Sequence, residues 1–315
     1  MSRRLGKKPR PIADLAAVVT VTDDGGSSGR LRREYRVLPP GDIRNCMVAL
    51  SEDEALLSKL FQYRFAGGRG LKGHSFGNLF LTALTHLTGD FARAVKLSSE
   101  VLASLGRIYP ATDANVVLEA ELENGRIIAG ETRISKSRSR IKRIRTRPRI
   151  CKPLPETLEA IEQADVITLG PGSLFTSVIP NVLVRGIPEA IRRSHALRAY
   201  FVNLMWQPGE TIGFRASDHV TAINRHAGFN LFDVVVVNTR SISVRQRRKY
   251  AAEEAQSVVN DIDRLADMGL EVVAADLLGE GDTVRHDRRA AAEVAMELAR
   301  RGRAERRKVR VLGRK

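Results

Sequence analysis

Cysteine is nearly absent. Only Cys46 and Cys151 occur among 315 residues, far apart and without CxxC spacing. That excludes a disulfide framework and a zinc site and points to a reducing cytoplasm. No apolar run approaches the roughly 20 residues that span a bilayer as a helix. The basic N-terminus, MSRRLGKKPRPIADLAAVV, lacks an apolar stretch followed by a small-residue cleavage site, so no signal peptide is expected. Aromatic residues make up 5% of the chain, and neither basic segment contains one to stack on bases. The Gly-Lys-Ser/Thr ending of a P-loop is missing, as are a nucleophile elbow and a Ser-His-Asp order.

What is present is a chain 43% hydrophobic, enough to build one large α/β domain or two small ones. Its net charge of +16 is concentrated. Residues 133–149 hold nine Lys/Arg and no acid, and residues 300–315 hold nine Lys/Arg and one acid, leaving the remainder near neutral at −1. Such segments are more often solvated loops and tails than specific nucleic-acid readers. Weak, salt-sensitive polyanion binding is expected of them.

Short apolar runs predict buried parallel strands at 15–22, 164–170, 197–204 and 232–238, with a weaker one at 269–278. Each is continuous rather than alternating, as when helices cover both faces. Helical patterns fall between them, at 55–65, 76–87, 90–106, 155–164 and 217–228, the last with a Ser-Asp start and a terminal Gly. The alternation predicts a doubly wound α/β sheet. Residues 113–150 differ. Two β-like runs flank Asn124-Gly125, a type I′ hairpin signal, and predict a small antiparallel insertion whose distal end carries the basic run.

The polar clusters sit where strands end. In VTVTDDGGSSGRLR, Asp23 and Asp24 close a strand, where a doubly wound fold binds ligands. They are suited to accept hydrogen bonds from sugar hydroxyls or to hold a divalent cation. Gly25 and Gly26 let backbone amides approach an anion, and Ser27 and Ser28 add hydroxyls. A plain chain-reversing Asp-Gly turn is the competing explanation. LPPGDIRNC adds Asp42, Arg44 and Asn45 at another glycine turn. GHSFGNLF puts His74, Ser75 and Asn78 at a helix start, either a phosphate seat or merely a satisfied cap. LGPGSLFTS ends a strand with Gly170, Gly172 and Ser173, an open backbone or an ordinary strand–helix turn. Asn203 and Glu210 follow the next strand, Tyr250 offers a ring for a base, and Arg285 offers a fork for a pyrophosphate.

Six blocks occur in order: TVTDDGGSSGRLR, LPPGDIRNC, GHSFGNLFLTAL, GPGSLFTSVIPN, QPGET with SDHV, and RHD. Through them the chain resembles the YvcK-type gluconeogenesis factors, relatives of 2-phospho-L-lactate transferase, over residues 12–290. The resemblance implies a Rossmann-like α/β domain, with residues 291–315 as helix end and basic tail. It implies a cytoplasmic regulator that binds a nucleotide sugar such as UDP-N-acetylglucosamine. That regulator serves growth on gluconeogenic carbon sources and cell shape, with cell-wall synthesis proteins as candidate partners. By the same resemblance Tyr250 and Arg285 match UDP-sugar positions, while Asp24, Asn45, His74, Asn78, Gly170 and Gly172 line the pocket. The transferase branch implies instead a metal-dependent transfer of a phospholactyl-type group, with Asp24 and Asp287 as candidate Mg²⁺ ligands. A nucleic-acid-binding protein driven by the basic segments is the third hypothesis.

Two departures stand out. Relatives open with a strand and a GGGTG-type loop, which nothing in RRLGKKPRPIADLAAVV matches. A start codon upstream of Met1 is expected, or else a shortened protein. Omitting a central strand leaves neighbours unpaired, so a homo-oligomer or poor solubility is expected. The other departure is SRSRIKRIRTRPR, more basic than that family's insertion and suited to acidic partners, anionic lipid or nucleic acid.

Overall fold

The computed structural model describes residues 14–51, 56–137, 139–251 and 255–312. The basic stretch before Asp14, Arg138 of the basic run and the last three residues of the tail lie outside them. The chain opens with β1 (Ala16–Val19), α1 (Gly26–Tyr35), α2 (Gly41–Leu50), α3 (Leu56–Gln62), α4 (Phe76–Thr88), α5 (Phe91–Val101) and β2 (Arg107–Pro110). The insertion follows as β3 (Val117–Leu122), β4 (Ile127–Ala129), α6 (Glu131–Ser135) and β5 (Ile141–Arg147). Next come α7 (Pro155–Gln163), β6 (Val166–Leu169), a π-helical turn at Leu174–Val178, α8 (Ile179–Val182), α9 (Ile187–Arg193) and β7 (Leu197–Phe201). The last third holds α10 (Ala216–Ala227), β8 (Val234–Asn238), α11 (Val244–Ala251), α12 (Ile262–Asp267), β9 (Glu271–Ala275) and α13 (Arg288–Leu312).

The fold is mixed α/β with parallel sheets and a small antiparallel one. The parallel strands do not share one sheet among the described residues. β1 pairs β2, while β6, β7, β8 and β9 form a second sheet in that order. The pairing of β1 stops where Val19 meets Pro110, short of the expected strand end at Thr22. Why β8 reads as a continuous apolar run is plain from its packing. Val235 and Val237 enter the main core, whereas Val234 and Val236 enter a second one closed by Leu298 of α13. Alternate residues point to opposite faces, and both faces are covered.

The described residues of the two basic segments are ordered structure. α13 extends the expected helix end through Leu312 and lies on the sheet. Arg301 binds Glu271 through two hydrogen bonds, and Arg306 donates to the carbonyls of Gln163 and Ala164. Gly302 lies against the carbonyl of Asp165, so that a Cβ there would collide with it. In the insertion, β5 is a third strand, pairing β3 from the side opposite β4. The basic run is therefore divided between α6, a loop and an edge strand. Glu119 and Glu121 of β3 face it, binding Arg147 at 3.2 Å, Lys142 at 2.8 Å and Arg145 at 3.0 Å. The hairpin is not type I′. Only Gly125 has positive φ, at 79°, and its amide donates to Leu122, the arrangement of a three-residue loop.

Candidate functional site

DDGGSSG is the first turn of a helix rather than a free turn. The first bond of α1 runs from Gly29 N to Gly25 O, leaving the amides of Gly26, Ser27 and Ser28 outside the helical ladder. Asp23 Oδ1 accepts the Gly25 amide at 2.8 Å. PPGD likewise opens α2, whose first bond is Arg44 N to Pro40 O. Gly41 has no side chain because Asp23 and Ser28 occupy the space a Cβ would take. α4 begins beside them, and Asn78 Nδ2 donates to Ser28 Oγ at 3.3 Å. Three helix N-termini thus converge, and their aligned peptide dipoles favour an anion there.

A cavity of about 240 Å³ lies at this convergence, lined by Asp23, Gly25, Gly26, Ser27, Ser28, Gly41, Arg44, Asn45, Arg64 and Asn78. Arg44 and Arg64 raise its positive potential. Burial, and then the field of Arg64, hold the Arg44 guanidinium below its usual pKa. Arg44 Nε and Asn78 Oδ1 are buried with no hydrogen-bond partner among the described residues. A buried polar atom without a partner carries a free-energy cost that a ligand relieves. Asn78 is 2% exposed, so its orphaned acceptor is fixed and looks for a donor such as a hydroxyl.

Several expected residues shape this cavity from behind. His74 is buried, and its Nδ1 lies 3.0 Å from Ser27 Oγ, which also accepts the Ser75 amide at 3.4 Å. Burial and the nearby Arg30 lower its pKa, so it stays neutral at pH 7 and positions Ser27. Asp24 points toward α6, taking the Thr132 amide at 2.9 Å and the Thr132 hydroxyl at 2.6 Å. Asp42 is half-buried, and burial beside Asp23 pushes it up to about 6. Glu131 opens α6 amid these acids. Burial first, then Asp42, Asp23, Asp24 and Glu210, push it up to about 8.

The GPGS loop differs from expectation, because the amides of Gly172, Leu174 and Phe175 are already occupied. Gly172 N donates to Asn203 Oδ1 at 3.3 Å, and Asn203 Nδ2 returns a bond to Gly172 O at 2.9 Å. Leu174 N donates to Gln207 at 3.0 Å, whose amide donates to Ser173 Oγ at 2.6 Å. Phe175 N and Thr176 Oγ1 both donate to Glu210 at 3.0 Å. The acceptor this turn holds is the protein's own Glu210 carboxyl, whose pKa burial raises. Gly170, with φ of 71°, is packed against the Phe201 carbonyl and the Tyr200 ring.

The remaining residues stand at the end of the second sheet. Tyr250 OH accepts the Val284 amide at 3.1 Å, tying the ring to the segment that carries exposed Arg285. His286 Nε2 lies 3.2 Å from Val202 O, next to Asn203. Asp287 Oδ1 accepts the Ala290 amide at 2.8 Å and so caps α13. It shares no partner with Asp24. No group of three His, Cys, Asp or Glu side chains suited to a metal occurs among the described residues. The residues present do not fit the expected Mg²⁺ pair. Ser217 differs too. Arg215 precedes the first turn of α10, Asp218 accepts its amide, and Ser217 bonds Asp261.

One arc nevertheless joins the blocks. Asp24 holds Thr132 of α6, Ser135 of α6 donates to Glu210 at 3.3 Å, and Glu210 leads through Gln207 and Asn203 to His286 and Arg285. Gly25, Gly26, Ser27, Asn45 and Asn78 line the cavity itself. Gly170, Gly172, Ser173, Asn203, Tyr250 and Arg285 lie farther along the arc. Arg64, Glu131, Thr132 and Gln207 were not among the expected site residues. Arg64 and Thr132 belong to no glycine-rich block, and only their tertiary contacts reveal them.

These features define an α/β protein with an anion cradle built at helix N-termini. A family model of 2-phospho-L-lactate transferase CofD matches residues 3–278. The gluconeogenesis factor of Bacillus subtilis is 47% identical over 294 residues, covering 93% of this chain and 92% of that protein. That of Halalkalibacterium halodurans is 47% identical over 293 residues, covering 93% and 91%. A crystallised Bacillus halodurans protein, described as a member of the UPF0052 family, superposes with a TM-score of 0.87 at 48% identity, covering 90% and 91%. The chain belongs to the CofD family, within its gluconeogenesis-factor group.

Proposed function

We propose that this chain is a nucleotide-sugar-binding regulator, required for growth on gluconeogenic carbon sources. The names of its relatives support the gluconeogenic role. The observation that carries the ligand reading is the cavity at the starts of α1, α2 and α4. Its two guanidiniums and free amides suit a phosphate, while Asp23 and the orphaned Asn78 Oδ1 suit sugar hydroxyls. In this reading the nucleoside extends along the arc toward Tyr250 and Arg285. The protein works in the cytoplasm, and its output reaches cell shape through cell-wall synthesis proteins. No single helix among the described residues is long and apolar enough to cross a membrane.

Isothermal titration with UDP-N-acetylglucosamine tests this. Saturable heat that Arg44→Ala and Arg285→Ala each weaken about tenfold or more supports it. No heat from a folded, cooperatively melting preparation rejects it. The family match favours a second reading, a phospholactyl-type transferase. It requires Mg²⁺-dependent product in a mass-spectrometric assay. Asp24 and Asp287, its expected ligands, are engaged separately with Thr132 and α13, which weighs against it.

A further inference from the structure

A second cavity, of about 360 Å³, lies in the antiparallel insertion. Its floor is apolar and buried, made by Leu122 and Ile128. Arg126, Arg133 and Lys136 stand around it, Ser137 adds a hydroxyl, and no acid lines it among the described residues. The contrast with the neighbouring strand is informative. Lys142, Arg145 and Arg147 of β5 are matched by Glu121 and Glu119. Arg126, Arg133 and Lys136 have no carboxylate partner among the described residues. Arg126, Arg133 and Lys136 are exposed, and three like charges gathered around a concave apolar floor repel one another, most at low salt, so that a small anion relieves the repulsion. The volume falls within the usual range for small-molecule sites.

The position matters as much as the charge. α6 and the residues just after it separate this cavity from the first one. Thr132 holds Asp24, and Ser135 donates to Glu210. Gly209, next to Glu210, lies against the carbonyls of Ser135 and Ser137, leaving no room for a Cβ. Arg133 and Lys136 of the same segment reach the second cavity. Anything gripping those two cations therefore acts on α6 and the residue that follows it, a segment that packs on β3 and β4 and also touches the cradle through Thr132 and the GPGS turn through Ser135.

We propose that the second cavity is an effector site for a small phosphorylated organic anion, and that α6 transmits its occupancy to the first cavity. Binding at the site is independent of the nucleotide-sugar reading; the coupling rests on it. The phosphate engages Arg126, Arg133 and Lys136, and the organic body covers Leu122 and Ile128.

The test is titration of the full chain at low salt with phenyl phosphate, inorganic phosphate and benzyl alcohol as probes. Phenyl phosphate is expected to bind saturably and several-fold more tightly than inorganic phosphate, and benzyl alcohol not to bind. Arg133→Ala and Lys136→Ala are each expected to weaken it about tenfold, while the charge-retaining Arg133→Lys largely restores it. Arg143→Ala removes the same charge from an exposed position of β5 outside the cavity and should leave binding unchanged. Equal losses in Arg143→Ala, or no phenyl phosphate binding where an oligonucleotide added as a fourth probe binds with a steep salt dependence, would assign the insertion to diffuse polyanion contact and overturn the site. Loss in Arg44→Ala but not in Arg133→Ala would place the probe in the first cavity and overturn it too. With phenyl phosphate bound, the affinity for UDP-N-acetylglucosamine should shift at least threefold. An unchanged affinity overturns the coupling. Absence of any nucleotide-sugar binding defeats the earlier reading, while Arg133-dependent probe binding stands apart from it.

Discussion

Glu210 Oε2 accepts the backbone amide of Phe175 at 3.0 Å, across 35 residues of chain. Its other oxygen takes Thr176 Oγ1 at 3.0 Å and Ser135 Oγ at 3.3 Å. One buried carboxylate thus fastens the GPGS turn to the end of α6. Removing it strands the Phe175 amide and the Thr176 hydroxyl in a nearly dry environment, while the exposed Ser135 hydroxyl turns to water. Glu210→Ala should cost about 3 kcal/mol or more, read as a lowered urea midpoint. Glu210→Gln keeps an acceptor for Phe175 N and should cost less than half as much. Equal losses in both variants would mean that the cross-link is not what holds the turn.

Glu131 contributes a pH dependence of definite sign. Its folded pKa of about 8 lies above the ordinary value of 4.5, so the native state binds a proton that the unfolded state has released. Stability is then full below about pH 4.5 and falls as pH rises through 8. The total fall is bounded at about 5 kcal/mol. Asp42, raised from 3.8 to about 6, adds a smaller fall in the window between those values. Burial holds His219 and His226 down to about 4, and these add a rise in stability up to about pH 6.5. The Glu131 contribution is therefore read as wild type minus Glu131→Gln, a difference that should fall between pH 5 and 8. A difference that is flat or rises there would contradict the burial of Glu131 among acids.

Much of the architecture was legible in the chain because buried parallel strands leave a simple trace. Val234–Val237 is apolar at every position since both faces are covered. The glycine blocks also pointed to strand ends. What they do there was not legible. Gly and Ser are poor helix formers, so GSSGRLRREY reads as a turn; α1 exists because Leu31 is buried and Ser27 and Ser28 bond α4 and its approach. β2 is missed because RIYP is four residues long and ends in Pro. That Glu210 fills the GPGS turn could not be seen either, since acceptor and donors are distant in sequence and carry no shared periodicity.

Arg44 separates binding from stability. Its Nε has no partner, and Arg64 repels it. Arg44→Ala should therefore leave the free protein within about 1 kcal/mol of wild type, or slightly more stable. Inorganic pyrophosphate binding at the cradle should drop about tenfold or more. Chemical denaturation and titration on the same preparation measure both. A large destabilisation with unchanged binding would make Arg44 a packing residue.

Gly302 tests whether α13 lies on the sheet as described. In an exposed helix interior, Gly→Ala gains about 1 kcal/mol. Here the new Cβ would be driven into the Asp165 carbonyl, and backbone cannot swing aside as a flexible side chain can. The helix must lift, loosening Arg306 from Gln163 and Ala164 and Leu298 from the second core. Gly302→Ala should cost about 1–3 kcal/mol. At exposed Ala304, two residues on, Ala304→Gly should cost only the propensity difference of about 1 kcal/mol. If Gly302→Ala instead stabilises the protein, the basic C-terminal helix does not rest on β6 and β7, and its arginines are free for other partners.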